Sequence, residues 1–138
     1  MSSRAANSSP RTPQERFGAV LEWCRGVTAK YAGVEVSNWS CSWNDGLAFC
    51  ALMHAHYPDA IGRFDALSAS DEAGRRKNFE LAFRVATQRV GVPALLDVDD
   101  MVALYPRPDD KSILVYLSLL HQMQASPLIP AGAKGVKE

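Results

Sequence analysis

Residues 47–53, LAFCALM, set seven apolar side chains in unbroken succession. At 100° per residue such a run leaves a helix no polar side, so the helix must be covered on every face. The run lies within SWNDGLAFCALMHAHYPD, residues 42–59. Ser42 and Asp45 stand at the S-x-x-D spacing that satisfies backbone donors at a helix start, and Pro58 closes the other end. From Asp45 to Pro58 the segment falls short of the ~20 residues that cross a bilayer. A buried central rod in a helical domain is the expected outcome.

The same stretch carries Cys50, His54 and His56, which invites a metal reading. Residues two apart on a helix point about 200° away from each other, so one ion cannot readily take both histidines. Cys50 and His54 share a face, but no third ligand is near them in sequence. Packed, hydrogen-bonded roles are expected instead, with no metal and no cofactor.

The other segments read as helices around this rod. Pro13 suits a first helical turn. Phe17, Val20, Leu21, Cys24, Val27, Thr28 and Tyr31 follow at three- and four-residue steps, with Trp23 at the edge of the stripe and Gly33 as the stop. Val36 and Trp39 belong to an extended connector tucked onto the core. Phe64 to Leu67 reads as one turn of helix. Ser70 or Asp71 caps a long helix to about Val90, with Phe79, Ala82, Phe83, Ala86 and Val90 inward. Asp97 to Val102 repeats a cap spacing, D-x-x-D. Pro108 and Asp109 open a last, mostly buried rod carrying Ile113, Leu114, Tyr116, Leu117, Leu120 and His121. No segment alternates as a strand would, so the class is all-α. The core is expected to centre on Trp23, Trp43, Leu47, Phe49, Cys50, Phe79, Phe83, Ile113, Tyr116 and Leu117.

Residues 1–12 and 125–138, rich in Ser, Pro, Gly and Lys, read as tails, which leaves one domain over about 13–124. The 15 basic and 15 acidic residues balance, so total charge calls for neither nucleic acid nor an anionic membrane. Cys24, Cys41 and Cys50 are odd in number and lack CxxC spacing, which suits reduced, packed thiols in the cytoplasm. No secretory apolar segment follows Met1, and no apolar run reaches membrane-spanning length.

Two charged stretches invite readings as sites. LDVDDMVALYPRPDD is acidic, but a calcium loop begun at Asp97 would need Gly and Glu where Val102 and Pro108 stand. Arg75, Arg76 and Lys77 crowd the first turns of the long helix, against its dipole, and offer a surface for acidic partners such as actin filaments or phosphoinositides. A solvated face balanced by Asp71, Glu72 and Glu80 is the plainer account. No nucleophile elbow, phosphate loop or carboxylate pair is visible, so no enzyme activity is expected.

Four ordered blocks resemble calponin-homology domains, above all the second domain of actin-binding tandems in the spectrin, α-actinin and dystrophin group. NWSCSWNDGLAFCALMHAHYPDAI is similar to their signature helix, and LEWCRGVTAKYAGVEVSNW to their first helix and connector. NFELAFRVATQRVGVPALLDVDDMV is similar to the long helix and its "LLDPEDV" element, and PRPDDKSILVYLSLL to the opening of the last helix. RRKNFELAF also resembles the single domain of cytospin- and smoothelin-like proteins. The resemblance spans about 14–123 and implies four main helices with two or three short ones, no cofactor and no catalysis.

By the same resemblance the chain is expected to be a monomeric cytoplasmic module of the cytoskeleton with weak affinity for F-actin, or to need a second such domain. The filament contact attributed to the first helix maps onto Glu15, Glu22, Ala29 and Lys30. Family members with phosphoinositide sites carry "WKDG" and "HRHRP", where this chain has Asn44, Ala55 and Tyr57, so lipid binding there is not expected. With twelve residues ahead of the domain, the chain is expected to be either a fragment of a tandem or a stand-alone module. A non-actin adaptor is the alternative, and the balanced charge argues against microtubules.

Overall fold

Helix α2, Leu47–His56, occupies the centre that its composition demands: Ala48 through Met53 are all buried, and α1 (Pro13–Thr28), α3 (Pro58–Ile61) and α4 (Glu72–Val85) pack around it. The computed structural model of the chain describes residues 13–124. The tails expected at 1–12 and 125–138 lie outside the described residues. Helix α5 (Val98–Ala103) lies against α4, and α6 (Asp110–Gln124) lies against α1. Four long helices, two short ones and two 3-10 turns, Cys41–Trp43 and Phe64–Ala66, complete the described chain, which holds no strand.

Phe49 sits at the hub of the core. Its ring lies 4.8 Å from Trp43, 5.2 Å from Phe83, 5.9 Å from Tyr116 and 6.1 Å from Phe79, centroid to centroid. Three of these pairs are edge-on, the arrangement in which a positive ring edge meets a negative face. One side chain of α2 thereby joins α4, α6 and the Cys41–Trp43 turn. Cys50, Ile113 and Leu117 are buried beside this cluster.

Trp23 and Leu47 are displaced from the core expected for them; both are half-buried. Trp23 lies between the rings of His121 at 4.7 Å and His56 at 5.9 Å. Leu47, on the first turn of α2, walls a cleft described below. Phe17, Leu114 and His121 are likewise only partly covered, and Cys41 is exposed, unlike the packed thiols Cys24 and Cys50. Phe17 lies one turn before the buried Val20 and is itself exposed.

The start of α2 also departs from the S-x-x-D expectation. Ser42 belongs to the preceding 3-10 turn, where its Oγ accepts the backbone N–H of Ser37 at 2.9 Å and of Asn38 at 3.2 Å. Asp45 Oδ1 accepts the Leu47 N–H at 3.0 Å, and Gly46 is the N-cap, left-handed at φ 84°. A Cβ on Gly46 would stand 2.6 Å from Asn78 Cβ, so the turn needs glycine for conformation and for room. Asp71 caps α4 by accepting the Gly74 N–H at 2.8 Å. The helix then continues as a π-helical turn, Ala86–Val90, and Gly91 ends it at φ 97°. Asp97 caps α5 by accepting the Asp99 N–H at 2.7 Å.

Phe49→Ala is expected to cost about 3–5 kcal/mol in denaturant unfolding, whereas Leu47→Ala at the cleft wall should cost under about 2 kcal/mol. Gly46→Ala should lose more than about 2 kcal/mol, because strain and the Asn78 contact act together. Burial lowers the His121 pKa, so the folded state prefers the neutral ring. Below about pH 6.5 the unfolded chain binds the proton more readily, and melting temperature should fall with acidification. In His121→Gln that part of the acid slope should vanish.

Candidate partner-binding surface

Helix α1 presents Glu22, Ala29 and Lys30 to solvent. Glu15 lies in its first turn, with a side chain outside the described ones. Glu22 Oε2 accepts from Arg25 at 3.2 Å, one turn away on the same helix, so this acid is already matched. Exposed pairs of this kind add little stability but do cancel local charge. Lys30 makes no ion pair among the described residues.

Where α1 ends, Lys30 stands on the rim of a cleft of about 640 Å³, whose walls come from three elements. Tyr31 follows α1, Leu47 and His54 project from α2, and Arg63 and Phe64 lie at the second 3-10 turn. The Tyr31 hydroxyl and His54 Nδ1 share a hydrogen bond of 2.8 Å. The Tyr31 ring meets Phe64 edge-on at 4.9 Å and His54 edge-on at 5.6 Å. Burial raises the Tyr31 pKa, which keeps the phenol protonated at neutral pH. Arg63 is matched by Asp65 across 3.2 Å, with both side chains well exposed. The result is an apolar, aromatic concavity with one unmatched cation at its edge, within the size range of sites that receive ligand groups or side chains.

The structure divides the three cations of α4 by role. Arg75 is half-buried; it donates from Nη1 to the Ala69 carbonyl at 3.2 Å, and its guanidinium lies 3.8 Å from the Tyr105 ring centroid. Arg76 donates from Nη1 to Asp99 Oδ1 at 2.6 Å, which raises its pKa and ties α4 to α5. Lys77 is exposed and has no ion-pair partner among the described residues. Successive helical residues are rotated by about 100°, so three neighbours fan out instead of forming one patch.

The histidine and cysteine side chains of α2 are directed apart. His54 turns to Tyr31, while His56 Nδ1–H donates to the Leu52 carbonyl at 2.9 Å. The Cys50 thiol donates to the Asn78 carbonyl at 3.2 Å, and burial pushes its pKa up to about 12, as it does for Cys24. Neither thiol is a nucleophile at neutral pH. Asn44 donates to the Pro106 carbonyl at 3.1 Å, and Ala55 is exposed. Tyr57 is not a surface position: it is fully buried, with the Arg89 guanidinium 5.1 Å from its ring centroid.

The cleft is not legible in the sequence, because its lining residues are separated by up to 37 positions, from Lys30 to Leu67. Of its lining, Lys30 is the residue that the sequence marks as a candidate partner contact, while Leu47 and His54 read there as core and as a possible ligand.

A profile of the calponin homology (CH) domain matches residues 14–126. Human smoothelin-like protein 1 is 48% identical over 103 residues, covering 75% of this chain and 20% of that protein. Alpha-actinin A of Dictyostelium discoideum is 42% identical over 119 residues, covering 86% of this chain and 13% of that protein. Human MICAL-like protein 1 is 46% identical over 110 residues, covering 80% of this chain and 12% of that protein. The chain thus spans a fifth or less of the length of these relatives. With the domain profile covering nearly all of the described helices, this chain belongs to the calponin homology domain family.

Proposed function

We propose that this chain is a cytoplasmic interaction module of the cytoskeleton that associates weakly with actin filaments, without catalytic activity of its own. The family assignment over 14–126, shared with relatives that include an alpha-actinin, carries the reading. The weakness follows from the surface. Glu22 is matched by Arg25, Ala29 is neutral, and Arg75 and Arg76 are spent on contacts within the domain. Lys30 and Lys77 are the two candidate cations left to meet an acidic filament. Two exposed lysines supply a contact that salt screens readily.

The cleft between Tyr31, Leu47 and Phe64 favours a second reading, in which the module is an adaptor that seats a segment of another protein. The two readings use neighbouring surfaces and differ in what they need: the first needs exposed charge, the second an apolar concavity.

Cosedimentation of the 138-residue chain with filamentous actin should show pelleting at low salt that fades near physiological ionic strength. Lys30→Glu combined with Lys77→Glu should reduce low-salt pelleting several-fold, while Phe64→Ala leaves it unchanged. Absence of pelleting even at low salt would reject the actin reading and leave the adaptor.

A further inference from the structure

A second concavity, of about 200 Å³, lies between α5 and the start of α6 and differs in kind from the first. Leu95 and Leu104 wall it and are 50% and 47% exposed, while Met101 beneath them is buried at 3%. Single exposed leucines are ordinary on a protein surface; two that flank one hollow over a buried methionine form a recess that water fills at a cost. The recess is smaller than sites for drug-sized ligands and has room for one bulky side chain.

Its rim is acidic. Asp97, Asp100 and Asp109 line it, and no basic residue does. Asp97 and Asp109 each serve as a helix-cap acceptor, to the Asp99 N–H at 2.7 Å and the Ser112 N–H at 2.9 Å. The Ser112 bonds hold the Asp109 carboxyl below the usual carboxylate range, with Lys111 adding to the effect. Asp100 makes no ion pair among the described residues. Backbone bonds thus hold two of the three carboxylates in place, beside the exposed Leu95 and Leu104.

We propose that this groove docks a basic segment of a partner protein, with one bulky aliphatic or aromatic side chain seated between Leu95 and Leu104 and flanking Lys or Arg residues paired to Asp97, Asp100 and Asp109. Charge complementarity selects this occupant. The acidic rim repels anionic lipid and nucleic acid, and it desolvates unfavourably against an acidic peptide. A purely apolar segment would leave the carboxylates unmatched. A purely basic one would leave the leucines wet.

The test is selection of a random peptide display library on the full 138-residue chain. Enriched peptides are expected to carry Leu, Ile, Met or Phe with Lys or Arg within four residues on both sides. Synthetic copies should bind at least about tenfold more weakly to Asp100→Lys and to Leu104→Ser, and should weaken further as salt rises. Amide shifts in the labelled chain should cluster at 95–104 and 109–112. Both substitutions fall on exposed side chains; if either variant melts early, Asp100→Asn replaces Asp100→Lys and Leu95→Ser replaces Leu104→Ser. A library that enriches nothing, enriches acidic peptides, yields peptides that Asp100→Lys binds equally well, or maps its shifts to the Tyr31–Phe64 cleft overturns the proposal.

Discussion

The side-chain amide of Asn78 fastens three segments of the chain to one another. It is buried, and its Nδ2 donates at 3.0 Å both to the Asp45 carbonyl before α2 and to the Ser68 carbonyl before α4. Its own backbone carbonyl accepts the Cys50 thiol, and its Cβ fills the space that Gly46 leaves open. A buried amide without such partners costs on the order of 1–3 kcal/mol, so satisfied bonds here exclude alternative packings of the same apolar helices. Phe49 stands three residues beyond Gly46. Its distances to Trp43, Phe83 and Tyr116 therefore depend on the angle at which this clasp admits the chain into α2.

Because α2 is buried from Ala48 through Met53, contacts with other molecules fall to its ends and to the ends of the surrounding helices. Two of the concavities there have opposite character. The cleft at the end of α1 is aromatic, with Lys30 unmatched on its rim; the groove between α5 and α6 is aliphatic, with three carboxylates and no cation in its lining. A net charge of zero conceals this division. Charge summed over a chain describes solubility and long-range steering, whereas recognition depends on where ionised groups adjoin desolvated apolar surface.

The unbroken apolar run marks α2 and a cap spacing marks α5 in the sequence, while periodicity marks α1, α4 and α6, since burial repeats every third or fourth residue at Phe79, Ala82, Phe83 and Ala86, and again at Ile113, Tyr116, Leu117 and Leu120. Periodicity failed where position within a helix matters more than spacing. Phe17 and Leu47 are apolar but lie towards the N-terminal ends of α1 and α2, where their side chains are only partly covered. Ser42 and Asp45 have the spacing of a cap, yet Gly46, whose left-handed turn depends on a contact with residue 78, begins the helix one turn later. The cleft was invisible for a related reason. Lys30, Leu47, His54 and Phe64 carry no common motif, and only the packing of α1 on α2 brings them together.

The run Arg75–Lys77 shows how a charge cluster can be structural in part and still bear on binding. Arg75 lies over Tyr105 just past the end of α5, and Arg76 holds Asp99 in its first turn. Stacking of a guanidinium on an aromatic face and a short charge-assisted hydrogen bond both resist displacement better than a solvated lysine pair would. Together they pin both ends of a six-residue helix too short to hold its shape alone. Leu95 precedes that helix and Leu104 follows it, so the distance between the two groove walls is set by α5 and, through it, by the arginines of α4. Arg75 and Arg76, two of the three cations that read as a landing surface in sequence, are thus ties to the helix whose flanking leucines wall an acidic groove.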